Sequence, residues 1–199
     1  MDQHIARAAL ESARNRFFVA GAAYALLTGE ASKHQIVDYE FSLSEAGFQV
    51  RPHGSEGPRG SSRTISFRRA ASEDEALALL EAAFEKLITD STDAVKSFAR
   101  SNGQWDILKK QDWFAFASHL RNAFSHNRRW HFEKHAIVPV RWKSYEVHRG
   151  MQGTSVRNFI SYLDGTDLQG QMILYVTGVV DCRQHPTWRE PDFPVDPLL

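Results

Sequence analysis

The sequence predicts a mainly α-helical fold with one or two small β-hairpins. Four segments repeat apolar residues at intervals of three and four, the spacing of helices that bury one face. Two shorter stretches alternate apolar and polar residues, as strands do. The chain has 199 residues, which is enough to bury one hydrophobic core. We therefore expect a single domain over residues 1–199.

The predicted helices are bounded by residues that start or stop helices. In the first, an apolar stripe ends at Gly29, a typical stop. The second begins at Ser72, a good N-cap, and Glu75 three residues later completes a capping box. Its end is predicted at Ser101-Asn102-Gly103. The predicted helices span residues 3–28, 72–100 and about 108–126, and a final helix begins near Asp167-Leu168.

The predicted strands lie in two parts of the chain. Residues 36–50 partly alternate, which favours strand, with a turn at 44–47. Thr64-Ile65-Ser66-Phe67 is expected to pair with residues 47–50 as a hairpin. A second hairpin is predicted over residues 136–148, turning near Lys143-Ser144. Glycine, proline and serine predict a loop at residues 51–63, and four prolines predict an extended tail at 185–199.

The formal net charge is zero, but the charge is unevenly distributed. Residues 72–93 hold seven acidic residues against one lysine, whereas residues 109–157 hold ten basic residues against three acidic ones. The basic stretch has three interpretations. It is an anion-binding face, a solvated surface, or one half of an acid–base contact within the fold. Arginine outnumbers lysine 17 to 7, which favours phosphate as the anion.

Composition also excludes several classes of protein. No apolar run approaches the ~20 residues that span a bilayer, and the first 30 residues do not read as a secretory signal, so we expect no membrane partner. The single cysteine, Cys182, cannot form an internal disulfide and fits a reducing compartment. We therefore expect a cytoplasmic protein.

One twelve-residue segment carries the most chemical information: His119-Leu120-Arg121-Asn122-Ala123-Phe124-Ser125-His126-Asn127-Arg128-Arg129-Trp130. It resembles the defining motif of the HEPN superfamily, an arginine followed by a polar residue and, four to six positions beyond the arginine, a histidine at the end of a helix. Arg121, Asn122 and His126 match this motif. The order of two long helices, motif helix, hairpin and final helix is also similar to that family.

The resemblance implies an antiparallel helical bundle that cleaves RNA without a metal at a homodimer interface, where two motifs face each other. Arg121, Asn122 and His126 would then be catalytic. Many members of the family are toxins or antiviral proteins, which implies a separately encoded antitoxin or regulatory protein as a partner. Others have lost activity and bind nucleotides or proteins, and this remains the alternative function.

The residue types fit this chemistry on physical grounds. An imidazole can accept the 2′-hydroxyl proton or protonate the leaving 5′-oxygen, and a guanidinium fork can neutralise charge on phosphoryl oxygens. Asn122 can orient these groups by hydrogen bonds. On a regular helix, Arg121 and His126 would lie about 140° apart. A kinked helix end or a second copy of the chain would be needed to complete the site.

Structural alternatives stay open for each of these residues. Arg121 could pair with an acid of the helix at 72–100, and His126 could interact with the dipole at the helix end. Arg128, Arg129 and Trp130 form a candidate RNA-binding surface of two cations and an aromatic ring. In the alternative reading, Trp130 anchors the end of the helix.

Other candidate sites are weaker. His131 and His135 are four residues apart, as in helical metal pairs, but no suitably spaced third ligand follows. His119 is expected to be structural. The sequence contains no phosphate loop, GxGxxG, GxSxG or HExxH motif. We expect no cofactor and no metal.

Overall fold

The computed structural model describes residues 1–29, 39–44, 47–52, 63–66 and 73–178. Its helices are α1 (Gln3–Thr28), α2 (Glu73–Ser101), α3 (Trp105–Lys109), α4 (Phe114–Ser125) and α5 (Tyr162–Thr177). Its strands are β1 (Tyr39–Ser44), β2 (Gly47–Pro52), β3 (Arg63–Ser66), β4 (Val140–Trp142) and β5 (Tyr145–Val147). The prediction of a mainly α fold with small β-hairpins is confirmed.

The two long helices begin and end close to the predicted residues. α1 ends at Thr28, directly before Gly29. α2 ends at Ser101, and Gly103 follows with a φ of 65°. There the Gln104 amide donates to the Ala99 carbonyl at 2.8 Å. This bond and the positive φ form a glycine-based helix end that satisfies otherwise unpaired carbonyls. The predicted N-cap Ser72 lies outside the described residues.

The predicted third helix is in fact two helices, so the prediction of one helix over 108–126 is wrong. α3 ends at Lys109, and a turn carries the chain into α4, where the Phe114 amide donates to the Gln111 carbonyl at 3.0 Å. Leu108 and Trp113 are both buried. In a continuous helix these two side chains would point about 140° apart. The break allows both to reach the core.

The final helix begins at Tyr162, five residues before the predicted start. Ser161 is its N-cap, and its hydroxyl accepts the Asp164 amide hydrogen bond at 3.0 Å. A serine followed three residues later by an acid is a recognisable start signal, which the apolar pattern alone did not reveal. The helix ends at Gly178, whose φ is 80°.

The strands form two antiparallel sheets among the described residues. β1 and β2 form a hairpin with Ser44 opposite Gly47, and β3 pairs with the other edge of β1. The expected pairing of Thr64–Phe67 with residues 47–50 is therefore wrong, because alternation defines the faces of a strand and not the edge it pairs with. Residues 51, 52 and 63, predicted as loop, lie in strands. The rest of that loop, Cys182 and the predicted tail at 185–199 lie outside the described residues.

β4 and β5 form the second predicted hairpin, with Trp142 opposite Tyr145. Lys143 adopts a φ of 51° at the turn, so the predicted turn at Lys143-Ser144 is confirmed. The hairpin packs on α4 through aromatic contacts, since the ring centroids of Phe116 and Trp142 lie 5.4 Å apart. The hairpin is thereby positioned next to the helix that carries the motif.

Residue contacts divide the chain into two compact units. In the unit formed by Glu11–Asp90, α1 and α2 pack through Phe17 and Phe84, whose centroids lie 5.6 Å apart. In the unit formed by Met1–Leu10 and Ser91–Leu199, the core of the described residues includes fully buried side chains from several elements. These include Leu10, Val95, Leu108, Phe116, Leu120, Leu168 and Met172.

Candidate functional site

The motif lies on α4 and on the turn that follows it. Phe116, Ala117, Leu120 and Ala123 are fully buried and hold one face of α4 in the core. Arg121 and Asn122 are half-buried on either side of that face. The apolar spacing of the helix thus decides which part of the motif can meet solvent or a ligand.

The helix ends at Ser125, and His126 is its C-cap, with φ −107° and ψ 57°. The His126 amide donates to the Asn122 and Ala123 carbonyls at 3.0 and 3.2 Å. Because His126 lies outside the regular helix, the angle of about 140° derived for a regular helix does not describe its side chain. The backbone leaves helical geometry at His126.

A sharp chain reversal follows His126. Asn127 and Arg128 both have positive φ, 55° and 58°, a conformation that costs non-glycine residues roughly 1–2 kcal/mol each. The Arg129 amide closes the turn by donating to the Ala123 and His126 carbonyls, each at 3.1 Å. These bonds hold the strained turn in place.

Arg121 forms a bidentate ion pair with Asp93 of α2. Its Nε lies 3.0 Å from Oδ1 and its Nη2 lies 2.9 Å from Oδ2. The Arg121 side chain is 32% exposed and that of Asp93 is 50% exposed. The structural alternative for Arg121, a bond to an acid of the preceding long helix, is therefore realised. Among the described residues Nη1 has no partner, so the N–H groups of this edge of the guanidinium can donate to a ligand.

Lys96 adds a second positive charge beside this pair. Its partial burial lowers the pKa of Lys96, the nearby charge of Arg121 lowers it further, and the carboxylate of Asp93 opposes the shift. The Lys96 ammonium lies 5.8 Å from the centroid of the Phe114 ring. Positive charge that is not fully compensated favours binding of an anion. Lys96 lies near the end of the predominantly acidic helix, so the charge pattern gave no reason to select it.

Asn122 contacts His126 only through the backbone. Its carbonyl accepts the His126 amide bond described above, and in the described part of the chain its side-chain amide has no hydrogen bond. The expected role of that amide in orienting Arg121 or His126 remains a prediction.

The exposed imidazole of His126 lies against that of His131. Their ring centroids are 4.5 Å apart, and the rings are inclined by 31°. The structure therefore forms two separate pairs, Arg121 with Asp93 and His126 with His131. The spacing of His131 and His135 predicted at most a pair of metal ligands, and nothing in that spacing connected His131 with His126.

The three residues of the predicted RNA-binding surface differ in their exposure to solvent. Trp130 is 1% exposed and contacts Phe132 and Phe159, with centroids 6.0 and 4.8 Å away. Its ring is not exposed for stacking on a base, and this burial agrees with the alternative in which Trp130 anchors the end of the helix. Arg129 is exposed, with Nη1 donating to the Gly153 carbonyl at 2.7 Å, and Arg128 is half-buried.

Several other bases of the 109–157 stretch are bonded within the fold. Arg141 pairs with Glu146 at 2.8 Å. Lys143 bonds both Asp164, at 2.7 Å, and Asp167. Partial burial on its own lowers the pKa of Lys143, but the hydrogen bonds to the two carboxylates outweigh it and raise that pKa. Arg141 and Lys143 thus each form one half of an acid–base contact within the fold.

The remaining histidine candidates have structural surroundings. His119 Nε2 lies 2.9 Å from the Ile137 carbonyl oxygen, and its ring meets the edge of Phe132. Within the described ranges, no group of three or more His, Cys, Asp or Glu side chains is arranged to hold a metal.

No family model matches the chain, and no curated protein or solved structure matches it either. The likeness to the HEPN superfamily thus rests on the motif and on the order of the elements. Among the described residues there is also no helix both long enough and apolar enough to cross a membrane.

Proposed function

We propose that the protein is a metal-independent endoribonuclease of HEPN type that uses Arg121, Asn122 and His126. Cleavage of RNA by its own 2′-hydroxyl needs a base for the hydroxyl proton, an acid for the leaving 5′-oxygen and a cation for the phosphoryl oxygens. His126 supplies one proton transfer, and Arg121 binds the phosphoryl group. Asn122 orients the phosphate by a hydrogen bond.

The observation that carries this proposal is the geometry of Arg121. Two hydrogen bonds to Asp93 fix the guanidinium in one orientation, while the Nη1 edge has no partner among the described residues. A pre-oriented donor loses less conformational freedom when it binds a charged oxygen than a mobile one does. Lys96 contributes further positive charge on the same side of α2.

We also propose that the active site forms at the interface of a homodimer. A twofold contact places every residue of one copy near its equivalent in the other. Arg121 and His126 make separate contacts within one chain, so a second copy can bring an arginine and a histidine together. A toxin-like or antiviral role, and control by a separately encoded antitoxin or regulatory protein, rest on the resemblance alone.

The alternative function is a catalytically inactive module of the same fold that binds a nucleotide or a protein. The ion pair between Arg121 and Asp93 favours it, because a ligand phosphate must compete with the carboxylate for the guanidinium. If the guanidinium of Arg121 stays bonded mainly to Asp93, the protein binds phosphate weakly and does not turn RNA over.

The deciding experiment is cleavage of an end-labelled RNA pool in the presence of EDTA. It compares the wild type with Arg121→Ala, His126→Ala and the matched control Arg141→Ala, which removes an exposed arginine of the basic stretch. Circular dichroism establishes that each variant is folded. We expect cleavage that survives EDTA, disappears in the first two variants and persists in the control.

Two other results would contradict the proposal. No cleavage by any form, at concentrations where light scattering detects a dimer, would favour the binding module. Equal cleavage by all four forms would mean a contaminant or a different site.

A further inference from the structure

The contact between His126 and His131 is not explained by burial. Both imidazoles are exposed, yet their centroids lie 4.5 Å apart. The two residues are separated by a turn with two strained positions, Asn127 and Arg128. This turn reverses the chain and returns His131 to the end of α4.

The backbone on both sides of His131 is held firmly. Trp130 and Phe132 are buried, at 1% and 7% exposure, so the intervening side chain points outward. The Trp130 amide donates to the Thr154 carbonyl at 2.9 Å, and the Gly153 amide donates to the Trp130 carbonyl at 2.8 Å. The Phe132 amide donates to the Gln152 side chain at 2.8 Å. The fold therefore sets the backbone position of His131 and directs its side chain outward.

We propose that His131 is a second catalytic residue of the site and that His126 and His131 of one chain divide the two proton transfers. This inference rests on the proposed ribonuclease function. The neutral imidazole takes the proton of the 2′-hydroxyl, and the 2′-oxygen bonds to phosphorus. The bond from phosphorus to the 5′-oxygen breaks, and the imidazolium protonates that oxygen. The products are a 2′,3′-cyclic phosphate and a free 5′-hydroxyl.

Either imidazole can serve as the base or as the acid in this reaction. Two rings held with their centroids 4.5 Å apart can therefore divide the two proton transfers.

The first test is single-turnover cleavage of labelled RNA by His126→Ala, His131→Ala and the matched control His135→Ala. His135 is an exposed histidine on the same segment and is not part of the pair. We expect the rate to fall by about 10²- to 10⁴-fold in each of the first two variants and to be unchanged in the control. Melting curves establish that the variants are folded.

The second test separates the acid from the base. An RNA with sulfur in place of the bridging 5′-oxygen has a leaving group that departs without protonation. The variant that lacks the acid is expected to regain cleavage of this substrate, and the variant that lacks the base is not. Rescue of both variants, or of neither, would overturn the division of roles.

The outcomes also distinguish this inference from the proposed function. If His131→Ala cleaves like the wild type while His126→Ala does not, His131 has no part in catalysis and the ribonuclease proposal stands. If the wild type cleaves no RNA, the proposed function fails, and the inference fails with it.

Discussion

Asp93 accepts two hydrogen bonds from Arg121, at 3.0 Å from Nε and 2.9 Å from Nη2. The two residues are 28 positions apart and belong to α2 and α4. The pair joins the only arginine of the motif helix to a partly exposed acid. It thus stabilises the fold and orients the guanidinium at the same time.

The contribution of this pair to stability can be measured by a double-mutant cycle. We expect Arg121→Ala and Asp93→Ala each to lower the Tm by about 1–3 °C, because a partly exposed ion pair contributes roughly 0.2–1 kcal/mol. The decrease in Tm of the double variant should be smaller than the sum of the decreases of the two single variants. Thermal unfolding followed by circular dichroism gives these values, with the exposed pair Arg141 and Glu146 as the control cycle. If Arg121→Ala lowers the free energy of unfolding by more than about 3 kcal/mol, the role of Arg121 is purely structural.

Lys96 is expected to destabilise the protein at neutral pH. Its pKa is lowered in the folded state, so the unfolded state binds more protons between that lowered value and 10.5, and stability rises with pH through this window. Lys96→Met should therefore raise the Tm by about 1–3 °C at pH 7. The difference from wild type should shrink as the pH approaches 10.5.

The control for this experiment is Lys110→Met, which removes the same charge from an exposed position and should leave the Tm nearly unchanged. A Tm for Lys96→Met below that of wild type at pH 7 would contradict the prediction. It would show that the attraction of the Asp93 charge and the contact with the Phe114 ring outweigh the burial of Lys96.

Asp164 is expected to stabilise the start of α5 above acidic pH. Hydrogen bonds from Lys143, Tyr145 and Ser161 hold the pKa of Asp164 well below its usual range. The stabilisation is present above the unfolded pKa of about 3.9 and is lost as the pH falls towards the folded value. Asp164→Asn should lower the Tm by about 4–8 °C at pH 7, since charge-assisted bonds and a cap contribute about 2 kcal/mol.

Thermal melts between pH 7 and pH 2 test whether the stabilisation by Asp164 is lost as the pH falls. The Tm of Asp164→Asn should approach that of the wild type as the pH falls below about 4. The control Asp106→Asn affects an exposed carboxylate paired with Lys109 and should change the Tm little. A difference that stays constant down to pH 2 would contradict the assigned cause.

RNA binding should depend on salt less steeply than the basic stretch suggests. Bases such as Arg141 and Lys143 are paired with acids within the fold. We expect only the three arginines at and after the motif to contact phosphates: Arg121, Arg128 and Arg129. For single-stranded RNA this predicts a slope of about −2 in a plot of log K against log salt concentration, whereas ten contacts would give about −7. Fluorescence anisotropy with a labelled oligonucleotide between 50 and 300 mM salt measures it. A slope steeper than about −5 would mean that the internal ion pairs open on binding.

The sequence was sufficient where a structure depends on neighbouring residues. Apolar residues at intervals of three and four located α1 and most of α2, and glycine marked both helix ends. The turn at Lys143-Ser144 was also local. The break between α3 and α4 was missed, although Leu108 and Trp113 would point about 140° apart on one continuous helix. Only the packing of Leu108 and Trp113 in the same core shows why they separate.

The sequence also predicted only part of the candidate site. The motif indicated Arg121 and His126. The alternation of apolar Trp130, polar His131 and apolar Phe132 also indicates that the His131 side chain points outward, but the sequence-based prediction did not use it. The positions of Asp93 and Lys96 beside Arg121 could not be predicted in this way. The residues around them in the sequence do not indicate which of them lie next to α4.

By itself, then, the sequence determined α1, most of α2, the second hairpin and the position of the motif. Hydrogen bonds and side-chain contacts within a helix or hairpin join residues that are close together in the chain. The tertiary structure alone decided that Asp93 holds Arg121, that Trp130 is buried and that His131 returns to His126. Each of these depends on how separate elements or a chain reversal pack in space, and residue spacing along one element does not specify that packing.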